Sequence, residues 1–159
     1  MIKKVTRPTP WVSPLVIAPK PNQPGAVRVC MDMRLPSKAI RREQHITPAI
    51  GDIIPDLYGA HWFSKLDLNA GYLQLELDLA FRCITTFFTH LGLSRYLCLS
   101  FGISSAAKDF QDISREVLSG VVGVLIVSVD ILLFSKTLEG HHIRLRNTLQ
   151  RLAECGLTL

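Results

Sequence analysis

Two short runs, Val12 to Ile17 and Val27 to Met33, are apolar or alternate apolar with polar. Pro19, Pro21, Pro24 and Gly25 lie between them, a pattern that predicts two strands joined by a loop. Thr47-Pro48 reads as an N-cap followed by proline at the first helical position, with Ile50, Ile53, Ile54 and Leu57 on one face of the helix it opens. Pro55 interrupts that helix, at a cost of about 3 kcal/mol unless it ends or kinks there. Phe63 to Leu68 predicts a strand. Leu73, Leu75, Leu77 and Leu79 alternate with Gln74, Glu76 and Asp78 in a strict period of two and predict another. Ile84 to Thr89 and Tyr96 to Ser100 read as two more, joined through Leu91-Gly92. Ser104 and Ser105 can cap a helix striped by Ala106, Phe110, Ile113 and Val117 and ended by Gly120. Val121 to Val127 and Ile131 to Phe134 flank a polar break at Ser128 to Asp130, as strands flank a hairpin turn. Leu145, Leu149 and Leu152 mark a last helix that begins after Thr137 and stops at Gly156. Strands, helix, strands, helix, hairpin, helix is an α+β order.

The chain has 159 residues, of which 48% are apolar. A chain this size buries roughly 70% of the surface its unfolded form exposes, so disorder is excluded as the main state, as is a fibrous repeat. The net charge of +5 is unevenly placed: residues 1–50 hold nine Lys/Arg against two Asp/Glu, residues 51–159 nine against eleven. All nine prolines fall at or before Pro55, so an extended, basic first third precedes regular packed elements. Cys30, Cys83, Cys98 and Cys155 show neither zinc nor disulfide spacing and read as free thiols in a reducing compartment. The opening MIKKVTRPTP lacks the apolar core of a secretory signal. Val121 to Phe134, broken by Ser128 and Asp130, is shorter than the roughly 20 residues of a membrane helix. These features predict an intracellular protein, cytoplasmic or nuclear, neither secreted nor membrane-spanning.

Asp67 in FSKLDLNAGY and Asp130 in VLIVSVDILLF stand in apolar company. A buried lone carboxylate requires a cation or hydrogen-bond donors. Either alone reads as a turn or cap; as a pair, each ending a strand, they are candidate ligands for a hard divalent cation such as magnesium.

From about Thr9 onward the chain resembles the reverse transcriptase domain of gypsy-type LTR retrotransposons. The resemblance runs in order through PTPWVSPLVIAPK, VRVCMDMR, the segment from Ile46 to Ala60, FSKLDLNAGYLQL, ITTFFTHLGLSRY, LSFGISSAAKDFQ and VSVDILLFSKT. It implies a right-hand polymerase fold, with fingers over about residues 1–60 and palm over about 61–159. By this resemblance Asp67 matches the first catalytic aspartate, a magnesium ligand. Tyr72 matches the aromatic that lies under the incoming sugar and excludes a 2′-hydroxyl. Lys20 and Arg28 match triphosphate-holding finger positions, where arginine can grip phosphate in a bidentate way. Phe101, with Gly102, and Gln111 match positions packing against nucleotide and template. Taken alone, Tyr72 reads as core and Lys20 and Arg28 as a solvated face. The implied partners are an RNA or DNA template-primer and a deoxynucleotide triphosphate, the implied cofactor Mg2+, and the parent a Pol polyprotein that also carries ribonuclease H.

The departures matter more than the matches. The family's hairpin signature, tyrosine, any residue and two aspartates, falls on Val127, Ser128, Val129 and Asp130. Val129 thus stands where the first of two aspartates belongs, leaving Asp67 and Asp130 as the catalytic and metal-binding acids. A unit charge lost about 4 Å from a divalent ion forfeits on the order of 8 kcal/mol at an effective dielectric near 20. If water recovers all but about 4 kcal/mol, the step still slows roughly a thousandfold. A register shifted by one residue leaves one acid as well. The chain also stops at Leu159 with no thumb segment, which reads as a truncated, degenerate copy of fingers and palm only. Gly51, Pro55 and Gly140 add local helix cost. The resulting expectation is an RNA-directed DNA polymerase domain by descent, inactive in this copy. A second reading is a nucleic-acid-binding module retained for its basic fingers surface. A third, an SH3-type ligand at Pro21 to Pro24, has an ordinary loop explanation.

Overall fold

A computed structural model describes residues 1–20, 23–40, 54–55, 57–127 and 129–159. In chain order its strands are β1 (Ile2–Lys4), β2 (Leu15–Pro19), β3 (Val27–Met31), β4 (Trp62–Asp67), β5 (Thr86–Thr89), β6 (Gly92–Tyr96), β7 (Val124–Val127) and β8 (Asp130–Ser135). Its α-helices are α1 (Ala106–Val117) and α2 (Leu138–Glu154), with short 3-10 turns at Pro36–Lys38, Gly71–Gln74 and Arg82–Thr85. The mixture is α+β. The described residues pack as two compact units, one drawn from 1–42 and 72–106, the other from 43–71 and 107–159.

In the first unit β1, β6 and β5 form an antiparallel sheet in that order, and β2 pairs with β3 as a hairpin with Ala18 opposite Arg28. Met31, Met33 and Phe87 make the core, joined by Leu15, Ile84, Tyr96 and Ile103. The Phe87 and Tyr96 rings lie 5.3 Å apart. The β2 strand starts three residues later than Val12, because Ser13 instead bridges Phe87, donating its amide to Thr86 O at 2.9 Å. β1 was not legible in the sequence. Ile2-Lys3-Lys4 has no apolar run, and pairing with β6 sets its conformation.

The strand expected over Leu73 to Leu79 is corrected. Gly71–Gln74 is a 3-10 turn, and only the stretch around Glu76 is extended, through one antiparallel bridge to Cys98. Leu77 N–H donates to Leu97 O and Leu99 N–H to Leu75 O, both at 2.8 Å. Asp78 then turns the chain by accepting the Ala80 amide at 2.8 Å, so the alternation cannot run on. The strand expected at Tyr96 to Ser100 lies earlier, at Gly92–Tyr96. Gly92, at φ +106°, closes a tight turn and is itself the first residue of β6 paired with β5, opposite Thr89. Likewise Ile84 and Thr85 belong to a 3-10 turn, held by Thr85 Oγ1 donating to Arg82 O at 2.9 Å, and β5 starts at Thr86.

In the second unit β4, β8 and β7 form an antiparallel sheet in that order. Along β8, Ile131, Leu133 and Ser135 are buried while Asp130, Leu132 and Phe134 are half-buried, the period of two expected when one face is packed. α2 packs against β8 and β4 and buries His141, Thr148 and Leu152. α2 begins after Thr137 as its sequence predicted, and Thr137 caps it, accepting the Gly140 amide at 3.2 Å. Gly123, at φ +76°, leaves the room that the Arg144 guanidinium fills as it donates to Phe134 O at 2.5 Å. Of the helix expected from Thr47, only Ile54, Pro55 and Leu57 are described, and they are helical. Thr47, Pro48, Ile50, Gly51 and Ile53, like Pro21, lie outside the described residues. Among the described residues no helix is long and apolar enough to cross a membrane. All four cysteines are unpaired.

Candidate functional site

The two acids singled out by sequence end neighbouring strands. β4 finishes at Asp67, β8 starts at Asp130, and the two are direct partners in the β4–β8 register. On the other side of β8, Val127 is the partner of Asp130, and Val129 lies in the turn before Asp130. Ser128 itself lies outside the described residues, and Val129 is half-buried.

What ends β4 is a turn through Ala70, at φ +49°, an uncommon conformation for a residue other than glycine. Gly71 N–H donates to Leu68 O at 3.2 Å, and Asn69 N–H to Thr158 O at 3.1 Å. A Cβ on Gly71 would sit 2.9 Å from the ring of Phe110, which is 1% exposed. The turn behind Asp67 is therefore packed onto α1. Gln111, the next residue of α1, is buried and donates Nε2–H to Ile126 O at 3.2 Å. It braces β7 one residue before Val127.

Lys65 was not among the residues the sequence singled out. It is two positions before Asp67, hence on the same strand face, and its Nζ lies 2.9 Å from Asp130 Oδ2. The hydrogen bond and the negative charge of Asp130, with Asp67 adding a smaller charge effect, raise the Lys65 ammonium above its ordinary pKa; desolvation opposes them. Two carboxylates and one ammonium leave this strand end one net negative charge. Among the described residues no group of three or more His, Cys, Asp or Glu side chains gathers to hold a metal. A donor set of two acids, one engaged by lysine, beside an isopropyl group does not fit a pair of magnesium ions.

In the first unit Arg28, Phe101 and Tyr72 come together. The Arg28 guanidinium carbon is 5.1 Å from the Phe101 ring centroid, a cation–π contact. Tyr72 meets the same ring edge to face, with centroids 5.3 Å apart at 62°. Gly102, at φ +104°, places that ring: a Cβ there would collide with Met31 O. Lys20 sits in the β2–β3 loop, its amide donating to Ala26 O at 3.0 Å and its Nζ to Gln23 Oε1 at 3.4 Å. The acids and the arginine–aromatic cluster are each complete within their own unit.

No family model matches the chain. It is 34% identical over 148 residues to an uncharacterized protein of Caenorhabditis elegans, covering 92% of this chain and 12% of that protein. It is 36% identical over 113 residues to the retrovirus-related Pol polyprotein from transposon 412 of Drosophila melanogaster, covering 69% of this chain and 9% of that polyprotein. Its homologues are retroelement Pol polyproteins. The chain spans only about a tenth of the length of those relatives. The foamy viral protease-reverse transcriptase in complex with double-stranded DNA superposes with a TM-score of 0.87 at 20% identity, covering 99% of this chain and 27% of that one. The fold is thus reverse-transcriptase-like, and the stretch matched is the one in which the sequence resemblance runs.

Proposed function

We propose that the chain is the fingers-and-palm part of a gypsy-type reverse transcriptase, and that its nucleotidyl-transfer centre is silent because Val129 stands where a metal-binding aspartate belongs. On this reading the fingers fall over about residues 1–60 and the palm over about 61–159. Asp67 and Asp130 are the remaining acids of the centre. Tyr72, Phe101, Gln111, Lys20 and Arg28 belong to its nucleotide-contacting set.

The observation carrying the proposal is the hairpin register. Val127 opposite Asp130 puts Val129 in the connection between β7 and β8, which supports the alignment that sets Val129 at the first aspartate of the signature. Asp130 opposite Asp67 then accounts for the other two acid positions. A lone lysine-paired carboxylate beside Asp67 supplies too few lone pairs to bind two ions between an attacking 3′-oxygen and a leaving pyrophosphate. Primer extension on poly-rA with magnesium tests this. The expected result is no incorporation above background by the purified chain. Magnesium-dependent extension would overturn the inactive reading.

A second reading, nucleic-acid binding without catalysis, is favoured by the placement of Arg28. Its guanidinium rests on an aromatic ring and is not ion-paired to a described residue, within an N-terminal third carrying most of the basic excess. The foamy viral relative of this fold is described as a complex with double-stranded DNA. Binding of an RNA/DNA hybrid should weaken with salt, and neutralising Arg28 or Lys20 should reduce the slope by about one. Salt-insensitive binding would remove this reading.

A further inference from the structure

The Lys65–Asp130 ion pair stands where a polymerase centre needs divalent metal. We propose that Lys65 is the resident cation of the acid pair Asp67/Asp130, an internal ammonium that fills the strand end and keeps it from taking a divalent ion. This rests on the reading of Val129 as a lost ligand and adds what replaced the metal.

Three observations carry it. The Lys65 Nζ is 2.9 Å from Asp130 Oδ2, hydrogen-bond distance for a charged pair. Lys65 shares a strand face with Asp67 and lies diagonally across the ladder from Asp130, since the register sets Lys65 opposite Leu132 and Asp67 opposite Asp130. No other described carboxylate, histidine or cysteine joins the two acids in a group of three.

Charge and concentration decide the competition. With an aspartate at 129 the set would carry three negative charges and one positive, a net of two, matching a divalent ion. With Val129 the net is one, and a divalent ion would be overcompensated unless Lys65 left. The ammonium is tethered one strand spacing away, so its effective concentration is at least in the mM range even for a flexible link. Magnesium is strongly hydrated and gives up its waters reluctantly, and two surface carboxylates offer little to compensate. The tethered monovalent cation wins.

Mn2+ is the probe. In the full chain, backbone amides of residues 67 and 130 should show no selective paramagnetic broadening at sub-millimolar Mn2+. Lys65→Met keeps the stem and removes the charge; it should tighten Mn2+ binding, read from the free-ion EPR signal, by about tenfold or more. Lys65→Arg retains a cation and should bind Mn2+ as weakly as wild type. Equal affinity in Lys65→Met and wild type, or selective broadening at 67 and 130 in wild type, overturns the proposal. These readouts involve no catalysis: tight Mn2+ binding by wild type in an inactive chain would sink the lysine proposal and leave the silent-centre reading standing, whereas magnesium-dependent extension would sink both.

Discussion

The ring of Phe110 occupies the space that a side chain on Gly71 would need: an added Cβ would lie 2.9 Å from its Cζ. Because Gly71 closes the turn that ends β4 at Asp67, this packing sets where the acid points from the strand. Phe110 is 1% exposed and cannot swing into solvent without opening the core. Gly71→Ala should therefore destabilise the fold by about 1–3 kcal/mol through overpacking. Phe110→Leu in the same chain should recover part of that loss, since neighbouring substitutions of this kind couple. Urea denaturation of the two single variants and the double variant measures both effects, and additive losses would show that the contact is slack.

The Lys65–Asp130 pair also gives stability a signature at high pH. The Asp130 carboxylate raises the ammonium in the folded state above the ordinary lysine value of 10.5. A folded-state pKa raised above the unfolded one contributes stability that is fully present below the unfolded value and is lost as pH rises through the folded value. Melting temperatures of wild type and Asp130→Asn should differ by a constant gap between pH 7 and about 9, with wild type higher, and the gap should close above about pH 10.5. Both side chains are partly exposed, so added salt should shrink the gap. A gap that widens with alkali would mean the pair is not made in solution.

How much of this was legible from sequence depends on whether an element carries its own signal. The 127–130 hairpin did, because the polar break at Ser128 to Asp130 interrupts two apolar runs that cannot both continue. α2 did as well, having a leucine stripe between a start after Thr137 and a terminal glycine. The leucine alternation from 73 to 79 did not decide its own fate. A period of two states which face a side chain takes but not whether a partner strand is available, and here 97–99 meet only the stretch from 75 to 77. At the site, the adjacency of Asp67 and Asp130 was readable because each ends a strand. Lys65 was readable only by parity with Asp67, and its choice of Asp130 is a tertiary fact.

Arg28 and Tyr72 meet on opposite claims to one ring, that of Phe101. An exposed cation–π contact contributes about 0.5–1 kcal/mol, so a double-mutant cycle of Arg28→Gln and Phe101→Leu should give a coupling of about that size in thermal stability. In hybrid binding the two changes should separate. Arg28→Gln removes a charge and lowers the salt slope by about one, whereas Phe101→Leu leaves the charge and changes affinity more than slope. Equal loss of slope in both variants would mean that the ring, not the charge alone, positions the contact.

His141 is buried at 5% exposure, its Nε2 lies 2.7 Å from Ser64 Oγ, and its Nδ1 has no hydrogen-bond partner among the described residues. The ring thus sits between α2 and β4 with one of its two nitrogens satisfied, on the sheet face opposite Lys65 and Asp67. Ser64→Ala takes away that one partner and leaves the whole imidazole buried and unpaired, which should cost about 1–3 kcal/mol. His141→Leu leaves only the serine hydroxyl, half-buried and able to turn toward water, so it should cost less than Ser64→Ala. The double variant removes both polar groups and keeps an apolar filling of similar reach. Its loss should fall below the sum of the two singles and below Ser64→Ala alone, because replacing both partners of a buried hydrogen bond is far cheaper than stranding one. Guanidinium unfolding midpoints for the four proteins give the order directly. If the double variant is the least stable of the set, the Ser64–His141 contact contributes through its packing, and the orphaned nitrogen is already solvated.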